Sequence, residues 1–173
     1  MTDFEKRRLG RSALKVTALG LGCATLGGSR VPVSREEAQA IVRAAWAAGV
    51  RYVDAAPFYG FGQAERCVGD ALRDMPRDEW VLSTKVGRLL RPQANPAATE
   101  PRQNRMPFDA MFDYSYDAIM RSYEDSLQRL GLAKSVKGRG VDITHSGRPS
   151  RTHDAFGLLA TDRHPAAAEG CTP

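Results

Sequence analysis

An α/β fold built from repeated strand–helix units is what this 173-residue chain predicts. Three observations predict it. Short apolar, β-like runs alternate with segments of helical period between about residues 8 and 132. Helix start and stop signals fall between those runs, at Ser34 and Gly49, at Pro76, and at Gly131. The glycine-rich text after the first buried strand, Gly20-Leu21-Gly22-Cys23-Ala24-Thr25, has only the first two glycines of a Gly-x-Gly-x-x-Gly fingerprint. Repeated βα units imply a parallel sheet with right-handed crossovers. A doubly wound sheet and a (β/α)8 barrel both begin this way, and the incomplete fingerprint favours the barrel.

In chain order, Arg7-Arg8-Leu9 and Leu14-Lys15-Val16 flank Gly10-Arg11-Ser12 and predict a small hairpin. Thr17 to Cys23 predicts a short buried strand. Ser34-Arg35-Glu36-Glu37 has capping-box spacing, in which the Ser oxygen accepts a backbone N–H and Glu37 reaches back. The helix that follows sets Ala38, Ile41, Val42, Ala45 and Trp46 on one face, and Gly49 ends it in the left-handed conformation. Arg51 to Ala55 is the second strand of the series. Ala64, Cys67, Val68, Ala71 and Leu72 recur at helical spacing up to the stop at Pro76. Trp80 to Val86 is the third strand. Arg88 to about Pro107 is polar, contains four prolines, and predicts a long loop of the kind that serves as a lid or insertion. Ser115 or Asp113 then caps a helix carrying Ile119, Met120, Tyr123, Leu127 and Leu130, closed by Gly131.

From Ala133 to Pro173 the period is lost. Gly, Ser, Thr, Pro, Arg and Ala dominate, and all three histidines, His145, His153 and His164, fall here. The one β-like run is Val141-Asp142-Ile143-Thr144, and Phe156 to Ala160 is weakly apolar. A segment this poor in apolar side chains cannot offset its ordering entropy and is predicted to be poorly ordered.

Composition narrows the class. Hydrophobic residues make up 42% of the chain and the net charge is +5, with both signs interspersed; this describes a solvated mixed-charge surface rather than a nucleic-acid footprint. Cys23, Cys67 and Cys171 are odd in number, widely spaced and form no Cys-x-x-Cys, which argues against a disulfide framework or zinc site and for a reducing compartment. The charged N-terminus is followed by no apolar core, and no apolar run approaches a membrane span. The expectation is a soluble cytoplasmic protein without membrane, metal or nucleic-acid partners.

The chemistry-bearing residues are Asp54, Tyr59 and Lys85, at the ends of two successive predicted strands. When hydride reaches a carbonyl carbon, negative charge grows on oxygen and a proton must be supplied. A phenol can supply it but is a weak acid; an adjacent ammonium favours the phenolate, and a carboxylate keeps that ammonium charged and aimed. In a barrel these strand ends adjoin, because sites gather at the C-terminal face.

These stretches resemble a known family. Arg8-Leu9-Gly10-Arg11-Ser12 with Val16 to Gly22, then Gly49 to Gly60 around Asp54-Ala55-Ala56-Pro57-Phe58-Tyr59, then Ser83-Thr84-Lys85-Val86-Gly87-Arg88, are similar to the N-terminal half of the aldo-keto reductase superfamily. Phe112 to Asp117 and Arg121 to Leu132 resemble the branch containing D-threo-aldose (L-fucose) 1-dehydrogenases and pyridoxal 4-dehydrogenases. The resemblance implies a TIM barrel that uses NADP or NAD without a Rossmann fold and acts on a small carbonyl or sugar. The expected architecture is therefore a partial (β/α)8 barrel, its first three βα units in residues 1–132, with a divergent tail at 133–173. By position, Asp54, Tyr59 and Lys85 match three members of the family's catalytic tetrad: Tyr59 the acid/base, Lys85 its modulator, Asp54 the partner of Lys85. Gly22, Cys23 and Ala24 fall where family members line the nicotinamide pocket, beside Asp54.

The family continues into a fourth apolar strand ending in His-Asp, whose His orients the carbonyl. Here Leu132 is followed by Ala133-Lys134-Ser135-Val136, and His145 resembles that ending only distantly, so no catalytic role is expected of it. The tail reads as translation in a shifted frame of an Ala/Arg-rich gene; a short protein with a divergent tail is the alternative. Either way a catalytically inactive fragment stands beside the dehydrogenase reading.

Overall fold

The computed structural model describes residues 4–10, 14–28, 31–94 and 106–133, and the backbone of 141–145. Strands β1 (Lys6–Arg8) and β2 (Lys15–Thr17) form the expected antiparallel hairpin. Then come β3 (Leu21–Gly22), a 3-10 turn at Ala24–Gly27, and helix α1 (Arg35–Ala47). Next are β4 (Tyr52–Asp54), α2 (Gln63–Leu72), a 3-10 turn at Arg77–Glu79 and β5 (Val81–Val86). β6 (Arg88–Pro92), β7 (Phe108–Phe112), α3 (Tyr116–Leu130) and β8 (Val141–His145) complete the order.

The central sheet is parallel throughout, in the order β3-β4-β5-β8. α1 packs on α2 and α2 on α3. Their apolar faces meet the sheet in a core that includes Cys23, Val42, Val53, Val68, Leu82 and Leu130. Burial of such side chains is the main stabilising term, about 1.5–3 kcal/mol for each large one.

Local signals act where they are read. Ser34 accepts from the Glu37 amide and Glu37 from the Ser34 amide, a complete capping box. Gly49 (φ 96°) and Gly131 (φ 68°) turn the chain out of α1 and α3. Ser115 is the cap of α3, accepting from the Ala118 amide, while Asp113 accepts from the Ser115 amide.

Four expectations are corrected. The strand expected over Thr17 to Cys23 is only Leu21–Gly22, because Thr17 belongs to the hairpin and Leu19 stands 52% exposed. Ile41 is exposed, since the buried stripe of α1 is Ala38 and Val42. The polar segment after Val86 is not loop at its ends: β6 and β7 pair antiparallel, Arg88 opposite Phe112, and the residues between them lie outside the described ones. Finally, the β-like run after Leu132 is a true strand of the sheet. β8 pairs parallel with β5, with Thr144 opposite Lys85 and His145 opposite Val86. Its β-branched Val141, Ile143 and Thr144 suit a strand but are too few to carry a periodic signal alone, and the ladder offered by the edge of β5 supplies the rest. The rest of the expected tail lies outside the described residues.

One close approach positions the site. Gly27, in the turn after β3, and Gly60, after Tyr59, touch backbone to backbone. A Cβ on Gly27 would sit 2.3 Å from the Gly60 nitrogen and 2.4 Å from the Tyr59 carbonyl carbon. Gly27→Ala is therefore expected to destabilise the chain by about 1–3 kcal/mol, the usual cost of overpacking, and to push Tyr59 outward. A urea midpoint indistinguishable from wild type would refute the contact.

Candidate active site

The three residues singled out from the sequence converge at the C-terminal ends of β4 and β5. The Lys85 Nζ donates to Asp54 Oδ2 at 2.7 Å and to the Ala55 carbonyl at 3.1 Å, and lies 4.9 Å from the centroid of the Tyr59 ring. Parallel pairing sets Asp54 beside Ser83, and the two-residue period of β5 returns Lys85 to the face of Ser83. Tyr59 sits just beyond β4 in a turn where Gly60, Phe61 and Gly62 all have positive φ, so the chain folds back and the ring is brought over the strand ends.

Burial pulls the Lys85 ammonium toward deprotonation, but hydrogen bonds to Asp54 and Tyr59 and their charges outweigh it, and the net shift is upward from 10.5. A raised value means the folded state holds this proton more tightly. Its stabilisation is full below the ordinary value and is lost as pH rises through the folded one. Lys85 is thus an ammonium throughout the neutral range.

Two residues were missed by sequence reasoning. Ser83 Oγ donates to Asp54 Oδ1 at 2.6 Å, and Tyr52 OH lies 3.1 Å from Ser83 Oγ. Together with Lys85 they occupy both oxygens of the carboxylate and leave it one orientation. Their signal was present in the strand period, with Tyr52 two before Asp54 and Ser83 two before Lys85, but it requires knowing that the two strands are neighbours in register.

The proposed nicotinamide-pocket residues divide. Gly22, opposite Asp54 in the ladder, is exposed, and a Cβ there would meet nothing within 4 Å. Ala24 is exposed as well. Cys23 is fully buried, its amide donating to the Asp54 carbonyl at 2.9 Å. Burial, reinforced by the Asp54 charge, pushes the Cys23 thiol up to about 12, and burial raises Cys67 too. Neither is a nucleophile near neutrality. Both are expected to resist a disulfide reagent until the chain unfolds; rapid native labelling mapped to Cys23 would contradict this. Among the described residues no cluster of side chains could hold a metal ion, and no helix is long and apolar enough to cross a membrane.

A comparison with family models matches residues 18–136 to the aldo/keto reductase family. The chain belongs to that family. It is 43% identical to a pyridoxal 4-dehydrogenase of Microbacterium luteolum over 92% of its own length and 46% of that protein's. It is 38% identical to a D-threo-aldose 1-dehydrogenase of a Pseudomonas species, over 87% of this chain and 45% of that one. Among solved structures it is similar to an aldo-keto reductase from Bacillus halodurans in its holo form. That match has 32% identity and a TM-score of 0.59, and covers 75% of this chain and 37% of that one. The chain thus spans under half the length of these aldo-keto reductases. The first alignment, covering 92% of the chain, also extends past Leu132 into the segment expected to diverge.

Proposed function

We propose that these residues form part of the site of an NAD(P)-dependent aldo-keto reductase that interconverts a sugar hemiacetal or small alcohol and its carbonyl form. The observation that carries this reading is the Lys85–Asp54 pair, 2.7 Å apart, with the Tyr59 ring beside it at adjoining strand ends. The four parallel strands are read as the opening of a (β/α)8 barrel, whose sites lie at that face. The names of the relatives support an aldose or pyridoxal as substrate, and the holo-form neighbour supports a nicotinamide cofactor. The residues present fit the nicotinamide end of such a group, because Gly22 and Ala24 leave an open surface next to Asp54. When bound, the cofactor would accept or supply the hydride.

The chain's own residues manage the proton. In the oxidising direction Tyr59 Oη accepts the substrate hydroxyl proton through its phenolate; in the reducing direction Tyr59 returns a proton to the carbonyl oxygen. The Lys85 ammonium stands 4.9 Å from the centroid of the Tyr59 ring, and Asp54, fixed by Ser83 and Tyr52, keeps Lys85 aimed. His145 is the remaining candidate to orient the carbonyl, supported by its register position beside Val86 at the end of β8; this revises the expectation that it has no role. Buried, unbridged Cys23 and Cys67 are in keeping with a cytoplasmic setting.

A second reading is that residues 1–173 by themselves are inactive, since they match only about half the length of the relatives. The groups that grip the adenosine phosphate in the family lie in the second half. Cofactor reduction with L-fucose, related aldoses and pyridoxal separates the readings. The 173 residues alone are expected to show little turnover with NAD or NADP. A chimera carrying the second half of the Microbacterium luteolum relative is expected to recover it, and Lys85→Met in that chimera to lower it about a hundredfold or more. Full turnover by the Lys85→Met chimera would remove the basis of the dehydrogenase reading.

A further inference from the structure

We propose that Arg88 is a positioning residue for Tyr59. Its guanidinium, stacked between Phe58 and Phe112, ties the turn that carries the phenol to the β6–β7 hairpin that follows Lys85, and so keeps phenol and ammonium in register. The inference rests on the reading of Tyr59 and Lys85 as the reacting end.

The turn after β4 needs a hold from outside itself. Gly60, Phe61 and Gly62 have φ of 64°, 55° and 95° in succession. Glycine adopts these values freely, but in Phe61 the Cβ crowds the following carbonyl oxygen. Such a residue persists only where its surroundings over-determine it. On one side the backbone of Gly27 packs on that of Gly60. On the other, the Phe61 ring tilts against Phe58, with centroids 5.1 Å apart and planes at 59°. Phe58 in turn carries the Arg88 guanidinium 4.2 Å from its centroid. Phe58 immediately precedes Tyr59, so whatever fixes Phe58 fixes the backbone from which the phenol projects.

The other end of the stack leads back to Lys85. Arg88 follows Lys85 after only Val86 and Gly87, and it pairs with Phe112 across the hairpin. Its guanidinium is 4.6 Å from the centroid of that ring. The Phe112 and Tyr114 rings are 6.4 Å apart, and Tyr114 fills the space that a side chain on Gly87 would take. The Ser122 hydroxyl of α3 donates to the Arg88 carbonyl at 3.2 Å. The Met106 amide donates to the Gly60 carbonyl at 3.2 Å, a second tie between hairpin and turn. Lys85, Arg88, Phe58 and Tyr59 thus form a closed circuit around a cavity of about 120 Å³ that all four line. Phe58 is 42% exposed and Phe112 62%, so burial alone seats neither ring. The flat cation between them is what they share, and stacking on two aromatic faces is a geometry that a planar guanidinium suits and an amide does not.

The test uses the 173-residue chain. Cross-relaxation between the Tyr59 ring protons and the Lys85 side chain is read by NMR, with signals assigned by their loss in Tyr59→Phe and Lys85→Met. It is expected in the parent and lost or strongly weakened in Arg88→Gln, while circular dichroism stays that of the parent. Phe112→Leu is expected to reproduce the loss and Phe112→Tyr, which keeps a ring face, to restore the signal; this pair decides the matter if Arg88→Gln does not fold. In the chimera, Arg88→Gln is expected to lower kcat about tenfold or more with KM within about twofold, the mark of misplaced reacting groups. No cross-relaxation in the parent, an undiminished signal in folded Arg88→Gln or in Phe112→Leu, or a raised KM at unchanged kcat overturns the proposal. Loss of the signal in Arg88→Gln beside a chimera without turnover would discard the dehydrogenase reading alone. An active chimera whose Arg88→Gln form keeps both signal and kcat would discard this inference alone.

Discussion

Tyr59→Phe is expected to remove almost all cofactor-linked turnover, by about a hundredfold or more, in the chimera that completes the barrel. The change deletes one oxygen and leaves the ring in place. Lys85 still lies against the ring face, Asp54 still holds Lys85, and the Gly27–Gly60 contact that seats the turn involves backbone only. Stability and cofactor affinity should therefore be close to those of the parent. The loss should appear in kcat, because the proton transfer is made only in the transition state. Turnover within a few-fold of the parent would show that another group moves the proton, and would leave Tyr59 as a packing residue.

Arg129→Met is expected to be among the most damaging single changes to stability, costing about 3–5 kcal/mol. Glu65 is fully buried in α2. Its Oε2 receives Arg129 Nε at 2.6 Å, and its Oε1 receives Thr84 Oγ1 at 2.7 Å. Arg129 also donates to Ser126 Oγ at 2.9 Å. This network ties α2, β5 and α3 together behind the sheet, and Thr84 is the residue before Lys85. Removing the guanidinium leaves a carboxylate in the core with a single hydroxyl for company. The double change Glu65→Met with Arg129→Met removes both charges and is expected to cost far less, because buried pairs are often replaceable by apolar side chains. Urea unfolding of both singles and the double gives the coupling energy. Additive, surface-like effects below about 0.5 kcal/mol would mean that the pair is not buried as described.

The contrast between Glu65 and Ser34 shows what the sequence alone can carry. The Ser34–Glu37 box, the Gly49 and Gly131 exits and the apolar face of α2 are local. Each depends on residues within a turn or two, so spacing is enough to predict it, and the structure follows it. The convergence of Asp54, Tyr59 and Lys85 was legible for a related reason: strand ends can be read from the apolar runs, and a parallel sheet brings successive strand ends to one face. Family membership was legible too, because long stretches of text around those strand ends match.

Residues whose role depends on a distant partner were not legible. Glu65 reads as one more helix-surface acid until Arg129, 64 positions later, and Thr84 close over it. Ser83 and Tyr52 read as ordinary strand residues until the register of β4 against β5 sets them on Asp54. Arg88 reads as the start of a polar loop until β6 pairs with β7 and places Phe112 beside it. In the same way the β-branched run in Val141–His145 takes its place in the sheet only once it pairs with the ladder of β5. Local free energies of capping and period are set by neighbours in the chain and survive in the sequence. Desolvation, charge pairing and sheet register are set by whatever packs against a residue, and only the tertiary structure decides them.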